Sequence, residues 1–301
     1  MTDATLGCAK LGMTTIPLDK LKAKYADAES KFIQIDNMNI HYKDEGQGPV
    51  VILLHGVCSS LHTWDGWIER LKRHYRIIRM DLPGFGLTGP SSNPSFCQKD
   101  VAVDLLEKFV AEMKLEKFYL VGNSMGGYIS WNYTLKNPDK VEKLILVDSA
   151  GFPQPMPWIL DFASNPVIRP VARHIMPRFL INMCVNQVFG DKSKVTDKLK
   201  DRYFELLMRE GNKGSSVDVF TEFRRLHNSK SFSTGIRDLR PPTLVMWGTK
   251  DEWIPFNFES WKKELPTAKF IQYEGAGHTP MEEIPDETAR DADLFLSGKT
   301  N

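Results

Sequence analysis

A serine flanked by glycines follows a short apolar run near the middle of the chain. The segment Gly122-Asn123-Ser124-Met125-Gly126 comes directly after KFYLV and opens the helical pattern GGYISWNYTL. A serine on a sharp strand-to-helix turn projects its hydroxyl above the sheet edge, and flanking glycines let neighbouring backbone approach closely. The start of the following helix favours negative charge that develops nearby. The pattern therefore predicts Ser124 as a catalytic nucleophile.

A nucleophilic serine needs a base that takes its proton and an acid that orients the base. His278, in GAGHTPMEEIP after the last predicted strand, is the candidate base. Asp251, in GTKDEWIP just after the run TLVMWG, is the candidate acid. Asp148 ends another predicted strand at the same sheet edge and competes for that role. We expect Asp251, rather than Asp148, to complete a triad with Ser124 and His278.

Two backbone N–H groups are expected to bind the negative oxygen that forms when the serine attacks a carbonyl group. One belongs to Met125, the residue after the nucleophile. The other is assigned to Val57, in the loop His55-Gly56-Val57-Cys58. His55 is predicted to brace this loop rather than to act as a catalyst.

Apolar runs rich in β-branched residues alternate with helical patterns along most of the chain, which is typical of a parallel sheet covered by helices. Two period-two segments, 31–36 and 38–46, predict a hairpin, and 1–30 ahead of it form a polar N-terminal arm. Six more strands are predicted at 49–55, 75–82, 117–123, 142–149, 242–249 and 268–275. Predicted helices cover 63–73, 98–113, 126–137, 256–265 and 287–297. The predicted fold is α/β, with an eight-stranded, mostly parallel sheet.

The alternation of strands and helices is interrupted between the sixth and seventh predicted strands. Residues 152–240 show no buried-strand pattern and turn to Pro, Met, Phe and helical spacing, which predicts a helical cap. The core domain then comprises 31–151 and 241–301. Apolar cap side chains are predicted to line a substrate pocket, and the candidates are Met156, Trp158, Phe162, Phe179, Met183 and Phe220.

Five segments, in this order, resemble those of the α/β-hydrolase superfamily, and the resemblance extends over 31–297. They are HGVCSSLHTWDGW, DLPGFGLTG, GNSMGG, WGTKDEWIP and GHTPMEEIP; the second departs from the family pattern with Thr88 where serine is usual. The resemblance implies the α/β-hydrolase fold, cofactor-free hydrolysis through an acyl-enzyme, and a cap that shapes specificity. Because threonine and proline follow His278, the chain looks more like carboxylesterases and lipases, with a small-molecule ester as substrate.

Other activities on the same fold are weighed against ester hydrolysis. Relatives that open epoxides or displace halide use an aspartate nucleophile, so the serine at position 124 argues against both. Carbon–carbon hydrolases of aromatic ring-cleavage pathways share a GNSMGG-like segment but follow the base with tryptophan, and they are the first alternative. Lactone or amide hydrolysis on the same triad is another. A catalytically silent receptor or scaffold is the alternative outside enzymes, and an intact triad argues against it.

Composition limits the classes of binding partner and the cellular compartment that we expect for this chain. The 39 Lys and Arg residues against 38 Asp and Glu leave a formal net charge of +1, so no long-range field attracts nucleic acid. The four scattered cysteines form no CxxC pair and no HExxH is present, so no metal site is predicted. No apolar run reaches the roughly 18 residues of a membrane span, and the first residues lack a signal-peptide pattern. The expectation is a cytoplasmic protein without a cofactor, of open oligomeric state.

Overall fold

One sheet of eight strands organises the computed structural model, which describes residues 9–299 except positions 92, 94, 97, 228, 230 and 231. The strands are β1 (Ser30–Ile35), β2 (Met38–Glu45), β3 (Val50–Leu54), β4 (Arg76–Met80), β5 (Phe118–Asn123), β6 (Val141–Val147), β7 (Thr243–Gly248) and β8 (Lys269–Tyr273). Their spatial order is β1-β2-β4-β3-β5-β6-β7-β8. Among these strands only β2 pairs antiparallel with both neighbours, and the pairings from β4 to β8 are parallel. The predicted eight-stranded, mostly parallel sheet is confirmed.

Helices follow most of the strands. In the described residues they are α1 (Leu18–Tyr25), α2 (Asp65–Leu71), α3 (Lys99–Glu112), α4 (Met125–Lys136), α5 (Trp158–Ser164), α6 (Arg169–Ala172), α7 (Arg178–Val188), α8 (Asp197–Leu207), α9 (Asn212–His227), α10 (Phe258–Glu264), α11 (Pro280–Glu283) and α12 (Pro285–Ser297). Helix α1 lies inside the segment predicted as a polar arm. Half of its residues (LDKLKAKY) are charged and only Leu21 among them is buried, so it shows no wide apolar stripe that would reveal a helix.

Two apolar clusters cover the two faces of the sheet. On β3, Ile52 and Leu54 belong to one cluster, whereas Val51 and Leu53 belong to the other. All four side chains are fully buried. Because successive side chains of a strand point to opposite faces, a strand buried on both faces reads as a continuous apolar run. This burial is why the central strands are recognisable in the sequence.

Helices α5 to α9 all lie between β6 and β7, where the strand pattern stops. Helix α9 packs against α5, and α8 packs against α7, so these helices form a layer of their own. The carboxyl ends of parallel strands share one sheet edge, and the loops that leave it are where α/β proteins bind ligands. No helix in the part of the chain that the structure describes has the length and apolar character needed to cross a bilayer.

Candidate active site

Ser124 lies on the sharp turn between β5 and α4. Its backbone angles, φ 54° and ψ −116°, fall in a region that non-glycine residues rarely adopt. Both flanking glycines are required by close backbone contacts. A Cβ atom on Gly122 would lie 2.2 Å from the carbonyl oxygen of Gly126, and one on Gly126 would lie 2.3 Å from that of Leu54. The GNSMG segment therefore forms the predicted strained elbow.

His278 and Asp251 form a buried acid–base pair. The Nδ1 atom of His278 lies 2.7 Å from Oδ2 of Asp251. The other carboxylate oxygen, Oδ1, accepts the backbone N–H groups of Trp253 at 2.7 Å and Ile254 at 2.9 Å. Because the carboxylate accepts the proton of Nδ1, the lone pair of the neutral imidazole is on Nε2. That nitrogen can accept a proton from a serine hydroxyl.

Asn123 connects the elbow to the loop that carries His278. Its Nδ2 group donates to the carbonyl oxygen of His278 at 3.0 Å and to that of Val147 at 3.1 Å. The residue before the nucleophile is thus bonded directly to the backbone of the candidate base. Sequence reasoning assigned no role to Asn123, because the x position of a G-x-S-x-G pattern carries no signal by itself.

Asp148, the competing acid, lies next to Asp251, but the hydrogen bonds of the described residues include none between His278 and Asp148. Its Oδ1 accepts the backbone N–H of Gly248 at 2.9 Å. Burial, reinforced by the negative charge of Asp251, raises the pKa of Asp148 well above its usual value. A protonated Asp148 keeps a second negative charge away from the pair. The structure therefore places Asp251, and not Asp148, against the imidazole.

The loop after β3 packs against the nucleophile. A Cβ atom on Gly56 would lie 2.9 Å from Cβ of Ser124, so only a glycine allows the loop to pass this close. This approach places Gly56, the residue before Val57, against Ser124, and Met125 follows Ser124 at the start of α4. The assignment of the N–H groups of Val57 and Met125 to an oxyanion hole remains a prediction.

His55 braces this loop from within. Its Nε2 accepts the backbone N–H of Leu82 at 2.9 Å, and its Nδ1 lies 2.7 Å from the carbonyl oxygen of Gly56. Burial lowers the pKa of His55, so the ring is neutral and donates from Nδ1. Both nitrogens are used by the backbone, as expected for a residue that supports the loop.

A small, mostly apolar cavity of about 20 Å³ lies beside His278. Its cap side consists of α7 and α8 residues, and its core side of Trp253, Thr279 and the loop around Val57. The cap residues are Ile181, Cys184, Val185, Val188, Tyr203 and Leu207. Those from α7 recur at intervals of three and four, so one apolar face of the helix forms the wall.

The six cap residues predicted to line the pocket lie elsewhere. Trp158, Phe162 and Phe179 are 50%, 48% and 66% exposed, and Phe220 is buried in the core. Met156 and Met183 pack, partly buried, at the edge of that core. None of the six is among the residues that line the cavity beside His278 in the described structure. Large aromatic residues suggested a pocket, but most cap residues of the wall are smaller aliphatic side chains.

Three further residues at the site, Trp253, Cys58 and Cys184, were not predicted as site residues. The indole ring of Trp253 lies over the imidazole of His278, with ring centroids 5.7 Å apart. Its position two residues after Asp251 is a signal that could have identified it. Cys58 and Cys184 also line the cavity, but burial raises the pKa of both thiols, that of Cys184 to about 12. Neither is therefore a thiolate that would compete with Ser124.

Two known proteins that are similar to this chain in sequence are hydrolases by name. A family model described as alpha/beta hydrolase fold matches residues 49–183. The chain therefore has the α/β-hydrolase fold, and its residues 49–183 resemble that family. It is 27% identical over 243 residues to a 2-hydroxy-6-oxononadienedioate/2-hydroxy-6-oxononatrienedioate hydrolase of Escherichia coli, covering 76% of this chain and 82% of that protein. It is 26% identical over 296 residues to a 2-hydroxy-6-oxo-6-(2'-aminophenyl)hexa-2,4-dienoic acid hydrolase of Metapseudomonas resinovorans, covering 94% and 95%.

A solved structure shows how far fold likeness extends within the superfamily. A thermophilic esterase from Thermogutta terrifontis superposes with a TM-score of 0.73 at 23% identity, covering 90% of this chain and 99% of that one. At 23% identity this similarity shows the fold alone, so the substrate has to be argued from the residues of the site.

Filling the cavity of this α/β-hydrolase should change its acyl preference. Val185 is 1% exposed and lies on the cavity-lining face of α7. We expect Val185→Phe to lower kcat/KM for hexanoyl and longer p-nitrophenyl esters by about tenfold relative to the acetyl ester, since pocket contacts contribute roughly 1–3 kcal/mol. Trp158→Ala, at a half-exposed position, is the control and should leave the ratio unchanged. The opposite ranking would place the acyl site at α5.

Chelation should not affect catalysis by this hydrolase. Asp148, Asp251 and His278 offer ligand atoms within 4.8 Å of one another, a spacing that a metal ion could use. Hydrogen bonds already account for the contacts of Nδ1 of His278 and both oxygens of Asp251. Dialysis against EDTA is expected to leave ester hydrolysis unchanged. A loss of activity that zinc restores would contradict the proposed triad.

Proposed function

We propose that Ser124 attacks a carbonyl carbon of a ring-cleavage product and that the carbon–carbon bond beside that carbonyl is hydrolysed. The observation that carries this proposal is the similarity to two curated carbon–carbon hydrolases, one of them over 94% of the chain. The comparisons favour this alternative over the ester hydrolysis expected from the sequence. Both reactions begin with the same attack, so the same triad serves either one.

The proposed chemistry assigns one task to each group. His278 takes the proton of Ser124 as the hydroxyl attacks, and Asp251 stabilises the resulting imidazolium. The negative oxygen that forms on the substrate is bound by the N–H groups of Val57 and Met125. A carbon leaving group departs only if it becomes a stabilised carbanion. In the 2-oxo tautomer of a 2-hydroxy-6-oxo-dienoate, C5 is saturated, and the charge left on it is delocalised through the neighbouring double bond to the 2-oxo group. The imidazolium of His278 then protonates this dienolate, and a water molecule that His278 deprotonates hydrolyses the acyl-enzyme.

Ester hydrolysis is the second candidate, and one structural observation favours it. The names of the two relatives describe substrates with one or two carboxylate groups. In this chain the described residues that line the cavity beside His278 include neither lysine nor arginine. Arg202 of α8 lines the adjoining cavity, where it already forms an ion pair with Glu282. Tyr203 also donates to Glu282, at 2.7 Å.

The consequence concerns substrate charge. Burying a carboxylate costs free energy unless the site offers it an unpaired cation or several hydrogen-bond donors. A carboxylate-bearing substrate must therefore displace Glu282 from Arg202 or keep its charged end in solvent at the cavity mouth. An uncharged acyl chain needs neither of these adjustments and can pack against the aliphatic side chains of the wall.

A direct comparison of substrates separates the two candidates. We expect kcat/KM for 2-hydroxy-6-oxo-6-phenylhexa-2,4-dienoate, followed by loss of its visible absorbance, to exceed that for p-nitrophenyl butyrate by two orders of magnitude or more. Ser124→Ala is the control for both reactions. Turnover of the esters, from acetyl to palmitoyl, without turnover of the dienoate would contradict carbon–carbon hydrolysis and support an esterase.

A further inference from the structure

A buried carboxylate joins the cap to the loop of the candidate base. Glu283, the last residue of α11, is 5% exposed. Its Oε2 accepts the backbone N–H of Gly277 at 2.8 Å and that of Gly190 at 3.0 Å, and its Oε1 accepts that of Asp191 at 2.7 Å. Gly277 immediately precedes His278, whereas Gly190 and Asp191 follow α7. One side chain thus bonds two segments that are far apart in the sequence.

The two segments also touch each other directly. A Cβ atom on Gly190 would lie 2.0 Å from the carbonyl oxygen of Gly275, and one on Gly277 would lie 2.5 Å from that of Val188. The same Val188 oxygen accepts the backbone N–H and the hydroxyl of Thr279, each at 3.3 Å. No side chain fits between the two backbones. The end of α7 and the His278 loop therefore form one contact, held by Glu283.

This contact lies between the two parts of the site that must be aligned. His278 follows Gly277 on one side of the contact, and Val188 on the other side lines the substrate cavity. A shift of either segment moves the base relative to Ser124 and moves the cavity wall relative to the base. Misplacement of reacting groups by about 1 Å can cost a factor of about 100 in rate.

We propose that Glu283 is a positioning residue that sets His278 and the cap wall at Val188 in one fixed arrangement. The inference rests on the proposed roles of Ser124 and His278 and applies to either candidate substrate. It assigns to Glu283 no contact with the reacting atoms. Glu282, its neighbour, is bonded to Arg202 and Tyr203 of α8 instead.

Glutamine tests the carboxylate without changing its size. An ionised carboxylate accepts at both oxygens, whereas a glutamine amide offers one accepting oxygen and one donating NH₂ group. In Glu283→Gln at least one of the three backbone N–H groups faces a donor and loses its partner. Gly190→Ala disrupts the same contact from the cap side while leaving Glu283 in place. Glu274→Gln is the matched control, because Glu274 is an exposed carboxylate near the same loop.

The experiment measures steady-state hydrolysis of p-nitrophenyl acetate and hexanoate, well below the midpoint of thermal unfolding. For Glu283→Gln and Gly190→Ala we expect kcat for the acetate to fall about 10–100-fold with little change in KM. The ratio of kcat/KM between hexanoate and acetate should shift in both variants. Glu274→Gln should match the wild type in all three quantities.

A purely structural role has a different outcome. If the two variants melt at lower temperature but keep kcat and the ester ratio within about twofold of the wild type, Glu283 does not position the site. Gly190→Ala keeps the test valid if Glu283→Gln fails to fold. Labelling of wild-type Ser124 by an organophosphate in the same preparations shows that the triad is active. Unchanged variants would then contradict the role of Glu283 alone, and an unlabelled wild type would contradict the triad.

Discussion

Ser124→Ala should lower kcat for p-nitrophenyl acetate by roughly 10⁴–10⁶. Without the hydroxyl no covalent intermediate forms, and the His278–Asp251 pair, joined at 2.7 Å, can activate only a water molecule. The N–H groups assigned to the oxyanion hole still bind the substrate carbonyl, so a small rate above that of water should persist. Initial rates under saturating ester, with circular dichroism to verify the fold, measure the effect.

The control for this prediction is the double variant. If Ser124 and His278 act in the same step, adding His278→Ala to Ser124→Ala should cost little more, because the base has no hydroxyl left to activate. Losses that multiply in the double variant would show that the two residues serve separate steps.

Asp251→Asn should lower kcat by roughly 10⁴ while leaving the fold intact. The asparagine oxygen can still accept the N–H groups of Trp253 and Ile254, so the loop keeps its shape. Its NH₂ group, however, would face Nδ1 of His278 and favour the tautomer that carries the proton on Nε2. That tautomer cannot accept the proton of Ser124. The kcat of the variant at neutral pH, set beside its melting temperature, separates this effect from unfolding.

Asp148→Asn is the matched control for the acid. Its pKa is raised well above the usual value by burial and by the negative charge of Asp251, which favours the uncharged form. Asparagine is also uncharged and keeps an oxygen for the N–H of Gly248. We therefore expect a far smaller loss than in Asp251→Asn. The reverse ranking would assign the acid to the end of β6.

Much of the fold could be predicted because central strands and helices have distinct local patterns. Strands β3 and β5 to β7 are buried on both faces, and their continuous apolar runs identify them. The interruption after β6 likewise indicated helices between β6 and β7. Helix α1 was missed because half of its eight residues are charged and its stability depends on burial of Leu21 against distant residues.

The candidate triad could be predicted because each member lies just after a recognisable strand. The elbow at Ser124 is a local pattern, and Asp251 and His278 follow β7 and β8 at the same edge of the sheet. The roles of Asn123 and Glu283 could not be predicted in this way. Each bonds backbone groups of segments far away in the sequence, and no spacing within GNSMGG or GHTPMEEIP encodes those partners.

The cap pocket was the least predictable part. Helical spacing shows that a cap helix has an apolar face, but it does not show which neighbour that face contacts. Large aromatic residues suggested a pocket at Trp158, Phe162 and Phe179, which the structure exposes to solvent. The wall beside His278 is the aliphatic face of α7 instead, around Val185. Only the packing of α7 on the His278 loop shows that α7, rather than the exposed aromatic residues, forms the wall.

Covalent trapping tests the central claim, that Ser124 is the nucleophile, most directly. The intact protein is treated with a small organophosphate, and the modified peptide is located by mass spectrometry while ester hydrolysis is followed. We predict one adduct per chain, on the peptide that contains Ser124, with loss of activity in proportion to labelling and no adduct in Ser124→Ala. An adduct on another residue, or hydrolysis that continues after Ser124 is fully labelled, would contradict the account.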